Sequence, residues 1–310
     1  MTDQSDSAPR KHTDLICRMS ADLGLLPRNL ESIIRTAPLR YKKFSIPKRD
    51  GSLREIAQPA REVKEIQRWI VRDLHPYLPM HDAVAAYEKG CSIVHNANIH
   101  RTGRFILKMD FKDFFPSITI NDVMRHLEKQ CTGIYSPPEI KQLAFACVWT
   151  PTRKPPLRLC IGAPSSPFFS NSILYEFDET VYQYANACGV SYSRYADDLT
   201  FSTNQYDVLK KFPHRIKSIL KEVSLDNIRL NTTKTVFASK AGKRVVTGIV
   251  LTPDDSLSVG RDRKRLARSM FHRFKLGLLT SDEQLKLFGL LAFIENVEPG
   301  FSDAIENRYK

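Results

Sequence analysis

Two adjacent carboxylates, Asp197 and Asp198, lie at the centre of the stretch from residue 190 to residue 202. The residues on either side are mostly β-formers, which predicts two short strands joined by a tight turn with the acids at its tip. Neighbouring aspartates repel each other, so a turn that presents both usually has a cation to neutralise them. Mg²⁺ suits this position because it prefers oxygen ligands and leaves positions open for phosphate. Taken alone, the pair is more simply interpreted as a polar turn, since aspartate favours turns.

A third acid, Asp110, changes that interpretation. It follows the mostly apolar run from Phe105 to Met109, which predicts a strand leading to the acid, and Pro116 ends any regular continuation. Two cations about 3.5–4 Å apart need bridging carboxylates from separate chain segments, and together they activate an attacking oxygen and stabilise a leaving one. A strand that carries one aspartate beside a hairpin that carries two therefore predicts a two-metal site for phosphoryl transfer.

The pattern Asp-x-x-x-x-Phe from Asp110 to Phe115, followed by Tyr-Ala-Asp-Asp at residues 195–198, resembles the palm of a reverse transcriptase. The resemblance implies an α+β, right-hand polymerase fold with fingers, a palm whose antiparallel sheet has helices on one face, and a small helical thumb. The expected divisions are an N-terminal helical segment (1–40), fingers and palm (41–250) and a helical thumb (251–310).

The same resemblance assigns roles at the catalytic centre. Asp110 and Asp197 are expected to bind two Mg²⁺ ions, with Mn²⁺ as a substitute. Asp198 would be an intermittent ligand, and Phe111 a further position of the metal site. Lys234 is expected to be the general acid that protonates the leaving pyrophosphate, although an ordinary surface lysine is an equal alternative. The primer hydroxyl would attack the α-phosphate in line, and positioning and metal charge would supply most of the acceleration.

Nucleotide contacts are expected first from a basic hairpin around Asp50-Gly51, a strong hairpin signal. In reverse transcriptases the corresponding hairpin closes over the triphosphate of the incoming dNTP, so Arg54 is the first choice for a phosphate contact and Lys48 the second. A solvated edge protected by charge is the alternative. Phe115 is expected to lie against the sugar, where its bulk would exclude a 2′-OH and favour deoxynucleotides.

A second nucleotide-binding segment is expected at Gly162, Ala163 and Pro164, just before a predicted helix. Glycine there would let the backbone approach a template base or a sugar closely, although a turn that caps the helix would need the same residues. The segment resembles the family motif Gln-Gly-x-Pro-x-Ser, except that Ile161 replaces the glutamine. Any sugar or base contact made by that glutamine is therefore missing.

Two short motifs resemble the retron branch of reverse transcriptases. They are Asn96-Ala97-x-x-His100, before the first catalytic strand, and the triplet Val246-Thr247-Gly248 within an expected strand from residue 244 to 251. The compact chain, with no RNase H or maturase region, agrees with that branch. The resemblance implies that a cognate structured non-coding RNA serves as template and primer. DNA synthesis would begin at the 2′-OH of a guanosine and yield branched, RNA-linked single-stranded DNA (msDNA). It also implies anti-phage defence beside a companion effector protein.

Composition agrees with a cytoplasmic nucleic-acid-binding enzyme. The 310 residues are 42% hydrophobic and carry a net charge of +13, which points to a polyanionic partner. No apolar run approaches the roughly 20 residues that span a bilayer, so no membrane contact is expected. The six cysteines contain no Cys-x-x-Cys pair, which predicts reduced thiols.

The sequence of the C-terminal region predicts two helices, the first of them basic. In a helix over residues 260–275, Leu266, Met270 and Phe274 would share one apolar face. The opposite, basic face would contact nucleic acid through Arg261, Arg265 and Arg268. A last helix over residues 284–296 would offer four apolar side chains for packing: Leu285, Phe288, Leu291 and Phe293.

Three alternatives share part of this pattern. Another compact bacterial reverse transcriptase, of the group II intron or diversity-generating type, would have the same palm. A template-dependent RNA polymerase would share the two-metal chemistry, although Tyr195-Ala196 and Phe115 argue against it. A catalytically inactive RNA-binding scaffold is the third, and the presence of all three aspartates argues against that interpretation.

Overall fold

The computed structural model describes residues 14–47 and 51–308. The α-helices in this part of the chain are α1 (Leu15–Leu23), α2 (Pro27–Thr36), α3 (Arg61–Leu74), α4 (Ile93–Ile99), α5 (Phe114–Ser117), α6 (Ile120–Gln130), α7 (Pro137–Cys147), α8 (Ser165–Ile173), α9 (Tyr175–Ala187), α10 (Phe212–Glu222), α11 (Arg261–Lys275), α12 (Ser281–Val297) and α13 (Phe301–Arg308). The strands are β1 (Tyr41–Pro47), β2 (Leu53–Pro59), β3 (Phe105–Lys112), β4 (Ser191–Tyr195), β5 (Asp198–Thr203), β6 (Arg229–Leu230), β7 (Val236–Ser239), β8 (Arg244–Val246), β9 (Ile249–Leu251) and β10 (Leu257–Ser258).

The described chain forms two compact units. The first contains the described residues up to His81 together with Asp113–Tyr175, and the second contains Asp82–Lys112 and the described residues from Glu176 onward. These units do not follow the divisions expected at residues 40 and 250. Helices α1 and α2 belong with the β1–β2 hairpin, and the C-terminal helices belong with the sheet that carries the aspartates.

The first unit combines the β1–β2 hairpin with helices. The two strands pair antiparallel, with Tyr41 opposite Pro59 and Pro47 opposite Leu53. The predicted basic hairpin is therefore present; Arg54 is exposed on β2, and Lys48 lies outside the described residues.

The second unit is built on an antiparallel sheet in the order β4-β5-β3-β6, with β7 also paired to β3. Strand β3 is central, since it pairs with β5 and also with β6 and β7. Its buried apolar side chains include Ile106, Leu107 and Met109. Helix α10 covers the hairpin β4–β5, where the ring of Phe212 lies 5.0 Å from that of Phe201. The sequence predicted both the strand before Asp110 and this hairpin, and both are confirmed.

The expected single strand from residue 244 to 251 is instead a hairpin. Strands β8 and β9 pair antiparallel with Val246 opposite Ile249, so Thr247 and Gly248 form a two-residue turn. Both turn residues have positive φ, 46° and 82° respectively. A two-residue turn between twisted strands needs such φ values, and glycine supplies one of them without strain. The β-branched Thr247 concealed the turn, because threonine is typical of strands.

The C-terminal helices bury the predicted faces only in part. Met270 and Phe274 of α11 pack against a buried apolar cluster, as expected. Helix α11 buries Ala267 and Phe271, whereas Leu266 is 53% exposed. Helix α12 begins after Thr280, which forms a capping box with Glu283, and a further helix, α13, follows it. The side chains buried there are Leu287, Ile294 and Val297. The expected packing residues Leu291 and Phe293 do pack against buried apolar clusters, whereas Leu285 and Phe288 are 70% and 48% exposed.

All six cysteines are free thiols. Within the described residues, no helix combines the length and the apolar character needed to cross a membrane.

Candidate active site

The two adjacent aspartates lie at the tip of the β4–β5 hairpin. Tyr195 pairs with Asp198, so the turn consists of Ala196 and Asp197. Ala196 has a φ of 57°, in the left-handed region that costs a non-glycine residue roughly 1–2 kcal/mol. A turn of this kind must be held by its surroundings, and the small side chain of Ala196 is buried there.

Asp110 is brought to the same place by strand pairing. It lies opposite Asp198 in the β3–β5 ladder, and the backbone N–H of Phe111 donates to the carbonyl oxygen of Asp197 at 3.0 Å. The ring of Phe111 is buried against that of Phe177, so only its main chain is available for the predicted role in the metal site. The three predicted carboxylates therefore converge within one unit.

Lys234 joins this cluster from the short 3₁₀ helix Thr232–Lys234. Its Nζ lies 3.1 and 3.0 Å from the two carboxylate oxygens of Asp110, and this hydrogen-bonded contact raises the pKa of the lysine. Asn231, which sequence reasoning passed over, donates its backbone N–H to the carbonyl oxygen of Asp110 at 2.7 Å and its side-chain amide to Asp110 Oδ1 at 3.3 Å. Lys234 thus keeps its proton and stays beside the acids.

The carboxyl group of Asp198 has a raised pKa. Asp198 as a whole residue is exposed, yet the surrounding protein atoms remove part of the hydration of its carboxyl group. This burial, followed by the charges of Asp197 and Asp110, raises the pKa of Asp198 to about 6. The charges of Lys108 and Lys234 act in the opposite direction, and the pKa stays raised.

The donor set suits hard divalent cations, which prefer carboxylate oxygens. Among the described residues, no three His, Cys, Asp or Glu side chains already stand in metal-binding geometry. The ammonium group of Lys234 contacts both oxygens of Asp110. A cation at Asp110 would have to take the place of that contact.

A buried ion pair contacts the β4–β5 hairpin. Arg194, on β4, and Asp178, on α9, are both fully buried, with Arg194 Nη2 2.5 Å from Asp178 Oδ2. Arg194 Nη1 also donates to the carbonyl oxygen of Ala196 at 3.1 Å, so the ion pair reaches the catalytic turn itself. The hydroxyl of Tyr192 donates to Asp178 Oδ1 at 2.7 Å. Sequence reasoning missed both charged residues, although Asp178 falls on the apolar face of its helix with Val181 and Ala185.

The predicted nucleotide-binding residues belong to the first unit. Phe115 is half-buried in α5, whereas its neighbour Phe114 is buried. Gly162 has a φ of 114°, and a Cβ atom there would lie 2.9 Å from the carbonyl oxygen of Ala57 on β2, so the close approach requires glycine. Ala163 is buried and Pro164 is half-buried. Their contacts with a nucleotide stay a prediction.

Several of the residues expected to touch RNA or DNA are inside the second unit. Four of the six retron-motif residues are buried side chains: Asn96, Ala97, His100 and Val246. The structure therefore does not support direct contact between these four side chains and nucleic acid, because a buried side chain cannot reach a ligand unless the protein rearranges. Thr247 and Gly248 are half-buried, and the three arginines of the basic face are exposed: Arg261, Arg265 and Arg268.

Removing one member of the buried ion pair is expected to be costly, because the other charge stays buried without its partner. Asp178→Ala should lower the free energy of unfolding by about 3–5 kcal/mol in urea denaturation at neutral pH. The double variant Asp178→Leu, Arg194→Met should recover most of this loss, since apolar side chains of similar volume avoid the desolvation cost. The exposed pair Arg68–Glu65 on α3 is the control, and Glu65→Ala should cost about 0–1 kcal/mol. A double variant no more stable than Asp178→Ala would contradict this explanation.

The raised pKa of Asp198 predicts a pH-dependent stability in metal-free protein. A carboxyl group with a pKa of about 6 when folded, above its ordinary 3.8, makes the folded chain lose stability as the pH rises through that interval. Asp198→Asn, which cannot ionise, should therefore melt at a higher temperature than the wild type at mildly alkaline pH in EDTA. The difference should shrink as the pH falls toward 3.8. Asp226→Asn, at an exposed position, is the control; an equal gain there would refute the prediction.

Comparison with known proteins agrees with this geometry. Residues 46–264 match the family described as reverse transcriptase (RNA-dependent DNA polymerase). Two relatives from Escherichia coli are the Retron Ec83 reverse transcriptase, 40% identical over 91% of both chains, and the Retron Ec73 reverse transcriptase, 30% identical over 92% of both. A solved structure of telomerase from Candida albicans, with a fragment of telomeric RNA, has a TM-score of 0.52 at 15% identity over 86% of this chain and 56% of that one.

The telomerase match supports the fold alone, and with the family match it identifies the antiparallel sheet and its helices as the right-hand polymerase fold. Members of this family typically use divalent metal ions. The identity to the two retron enzymes extends over nearly the whole chain and narrows the family from reverse transcriptases in general to those of retrons. The chain belongs to the reverse transcriptases of the retron type and is an RNA-directed DNA polymerase.

Proposed function

We propose that this polymerase uses a cognate structured non-coding RNA as both template and primer. Synthesis would begin from the 2′-OH of one guanosine in that RNA and give branched, RNA-linked single-stranded DNA, the msDNA. The observation that carries the proposal is the convergence of Asp110, Asp197, Asp198 and Lys234 at paired strand ends, in a chain 40% identical to a retron reverse transcriptase.

The three aspartates would hold two Mg²⁺ ions, with Mn²⁺ as a substitute and the main chain of Phe111 nearby. When bound, such ions supply the charge that favours the attacking oxygen and stabilises the leaving one. The hairpin and β3 fix the carboxylates before substrate arrives, which avoids reorganisation during the reaction. Lys234 holds a proton on Nζ and would give it to the leaving pyrophosphate after releasing Asp110.

Substrate contacts are assigned as the sequence predicts them. Arg54 and Lys48 would bind the triphosphate of the dNTP, and Phe115 would lie against its sugar. The backbone at residues 162–164 would approach the base pair or the sugar. The exposed arginines of α11, at positions 261, 265 and 268, would follow the phosphates of the RNA or DNA backbone. Thr247 and Gly248 would contact the nucleic acid through the turn they form.

We further propose that the enzyme acts in the cytoplasm in anti-phage defence, beside a companion effector protein. This part of the proposal rests on the resemblance to the retron branch described in the sequence analysis.

The direct test is expression of the chain in a bacterium with its flanking genomic DNA, followed by extraction of small nucleic acids. The material is separated before and after RNase and debranching treatment, and a strain with Asp197→Asn, Asp198→Asn is the matched control. A DNA band that shifts on debranching and is absent from the control supports msDNA synthesis. Without that band, extension of a primer on RNA by the purified protein would leave the polymerase and remove the msDNA proposal.

Phe115 provides a separate test of the sugar contact. Phe115→Ala should increase the use of ribonucleotides relative to deoxynucleotides by roughly 10–100-fold in kcat/KM, because bulk that rejects a hydroxyl is removed. Phe115→Tyr keeps the ring and should keep the wild-type selectivity. Single-nucleotide incorporation kinetics with both substrates measure the ratio. Unchanged selectivity in Phe115→Ala would place the sugar contact elsewhere.

A further inference from the structure

The first retron motif, Asn96-Ala97-x-x-His100, forms a buried hydrogen-bond network with the β4–β5 hairpin. His100, which follows α4, has its Nδ1 2.8 Å from the hydroxyl of Ser202 on β5 and its Nε2 2.7 Å from the hydroxyl of Ser193 on β4. Ser193 also donates to Asn96 Oδ1 at 2.5 Å. Asn96, His100 and Ser193 are all fully buried, and Ser202 is nearly so.

The directions of these hydrogen bonds can be assigned. The hydroxyl of Ser193 has one proton, which it gives to Asn96, so it accepts from His100 Nε2–H. Nδ1 is then the acceptor, and the hydroxyl of Ser202 donates to it. Burial lowers the pKa of His100 to about 3, so the ring is neutral at neutral pH. A neutral imidazole with one donor and one acceptor matches the two serines.

The network reaches both strands on the face that carries Asp198. Side chains alternate along a strand, so Asp198, Thr200 and Ser202 share one face of β5. Ser193 lies opposite Thr200, which puts it on the same face of β4. Arg194 occupies the opposite face, where Asp178 binds it. The hairpin is therefore held by polar groups from both sides.

The second retron motif fixes the helix that carries the first. The hydroxyl of Thr247 donates to the carbonyl oxygen of Ile93, the first residue of α4, at 3.0 Å. Ala97 and Val246 lie in the same buried cluster of apolar side chains. The carbonyl oxygen of Gly248 in turn accepts from Arg263 of α11 at 2.9 Å. Both motifs thus belong to one internal assembly around α4.

We propose that Asn96 and His100 are positioning residues for catalysis, which act through Ser193 and Ser202 to hold the hairpin that presents Asp197 and Asp198. The inference rests on the metal-binding role proposed for these aspartates and is independent of the msDNA proposal. Under this inference, Asn96 and His100 support the hairpin and do not contact RNA directly.

The test compares His100→Ala and Ser193→Ala with the wild type on a generic RNA template and DNA primer. Both variants should lower kcat about 10–100-fold and raise the Mg²⁺ concentration that gives half the maximal rate, as expected when groups that orient metal ligands are removed. The Kd for the template–primer duplex, measured by fluorescence anisotropy, should stay within about twofold of the wild type, since no contact with nucleic acid is lost. His100→Gln should recover part of kcat, because its amide can still donate to Ser193.

Matched controls lie on the same elements. His95→Ala and Asn98→Ala alter exposed side chains of α4, and Ser191→Ala alters an exposed serine of β4. All three should behave as the wild type. Ser193→Ala removes one oxygen atom, so it keeps the test usable if His100→Ala does not fold.

Three outcomes would overturn the inference. The first is a weaker duplex Kd with unchanged kcat and Mg²⁺ requirement, which would indicate RNA contact. The second is a lower melting temperature with wild-type kcat and Mg²⁺ requirement, which would indicate a merely structural role. The third is an equal effect of the exposed controls. A wild-type protein inactive on every template would instead count against the proposed function.

Discussion

Repulsion among three carboxylates at adjoining strand ends is the constraint on which the second unit depends. Asp110, Asp197 and Asp198 are brought together by backbone pairing, which fixes them more firmly than side-chain contacts would. Lys234 pairs with Asp110, and burial together with the charges of Asp197 and Asp110 still raises the pKa of Asp198. A site assembled under such repulsion is poised for cations, because binding them relieves an unfavourable term already present in the folded chain.

The polar partners of the hairpin explain how this arrangement is kept unique. Apolar contacts tolerate small shifts, whereas hydrogen bonds and a buried ion pair lose most of their energy when a strand slips. A slip of one residue would reverse the faces of β4, removing Ser193 from His100 and Arg194 from Asp178. The buried polar groups thus select one register, and the register determines where the aspartates stand.

Sequence reasoning predicted the elements that carry local signals. Asp110 after an apolar strand and the Tyr-Ala-Asp-Asp hairpin were both recognisable from residue type and spacing. The contacts that support the hairpin were not, because Arg194 binds Asp178 and His100 binds Ser193 across chain separations that no periodicity reports.

The errors in the C-terminal region have a related cause. A helical wheel selects large apolar side chains, yet α11 buries the small Ala267 together with Phe271 while Leu266 is exposed. Close approach of helices favours small residues at the contact, and only the packed structure reveals where that approach occurs. Likewise, the turn at Thr247 and Gly248 lacks the Asn-Gly or Asp-Gly pair by which such hairpins are usually recognised.

The internal assembly around the hairpin limits how this enzyme can exchange parts with others. Its partners come from three separate stretches of sequence: α4 with His100, α9, and the β8–β9 turn. A chimera that imports only residues 190–203 from a distant polymerase would keep the acidic turn and lose the groups that hold it. Recombination that preserves function must therefore move these stretches together, which makes them one inherited unit although they are scattered along the chain.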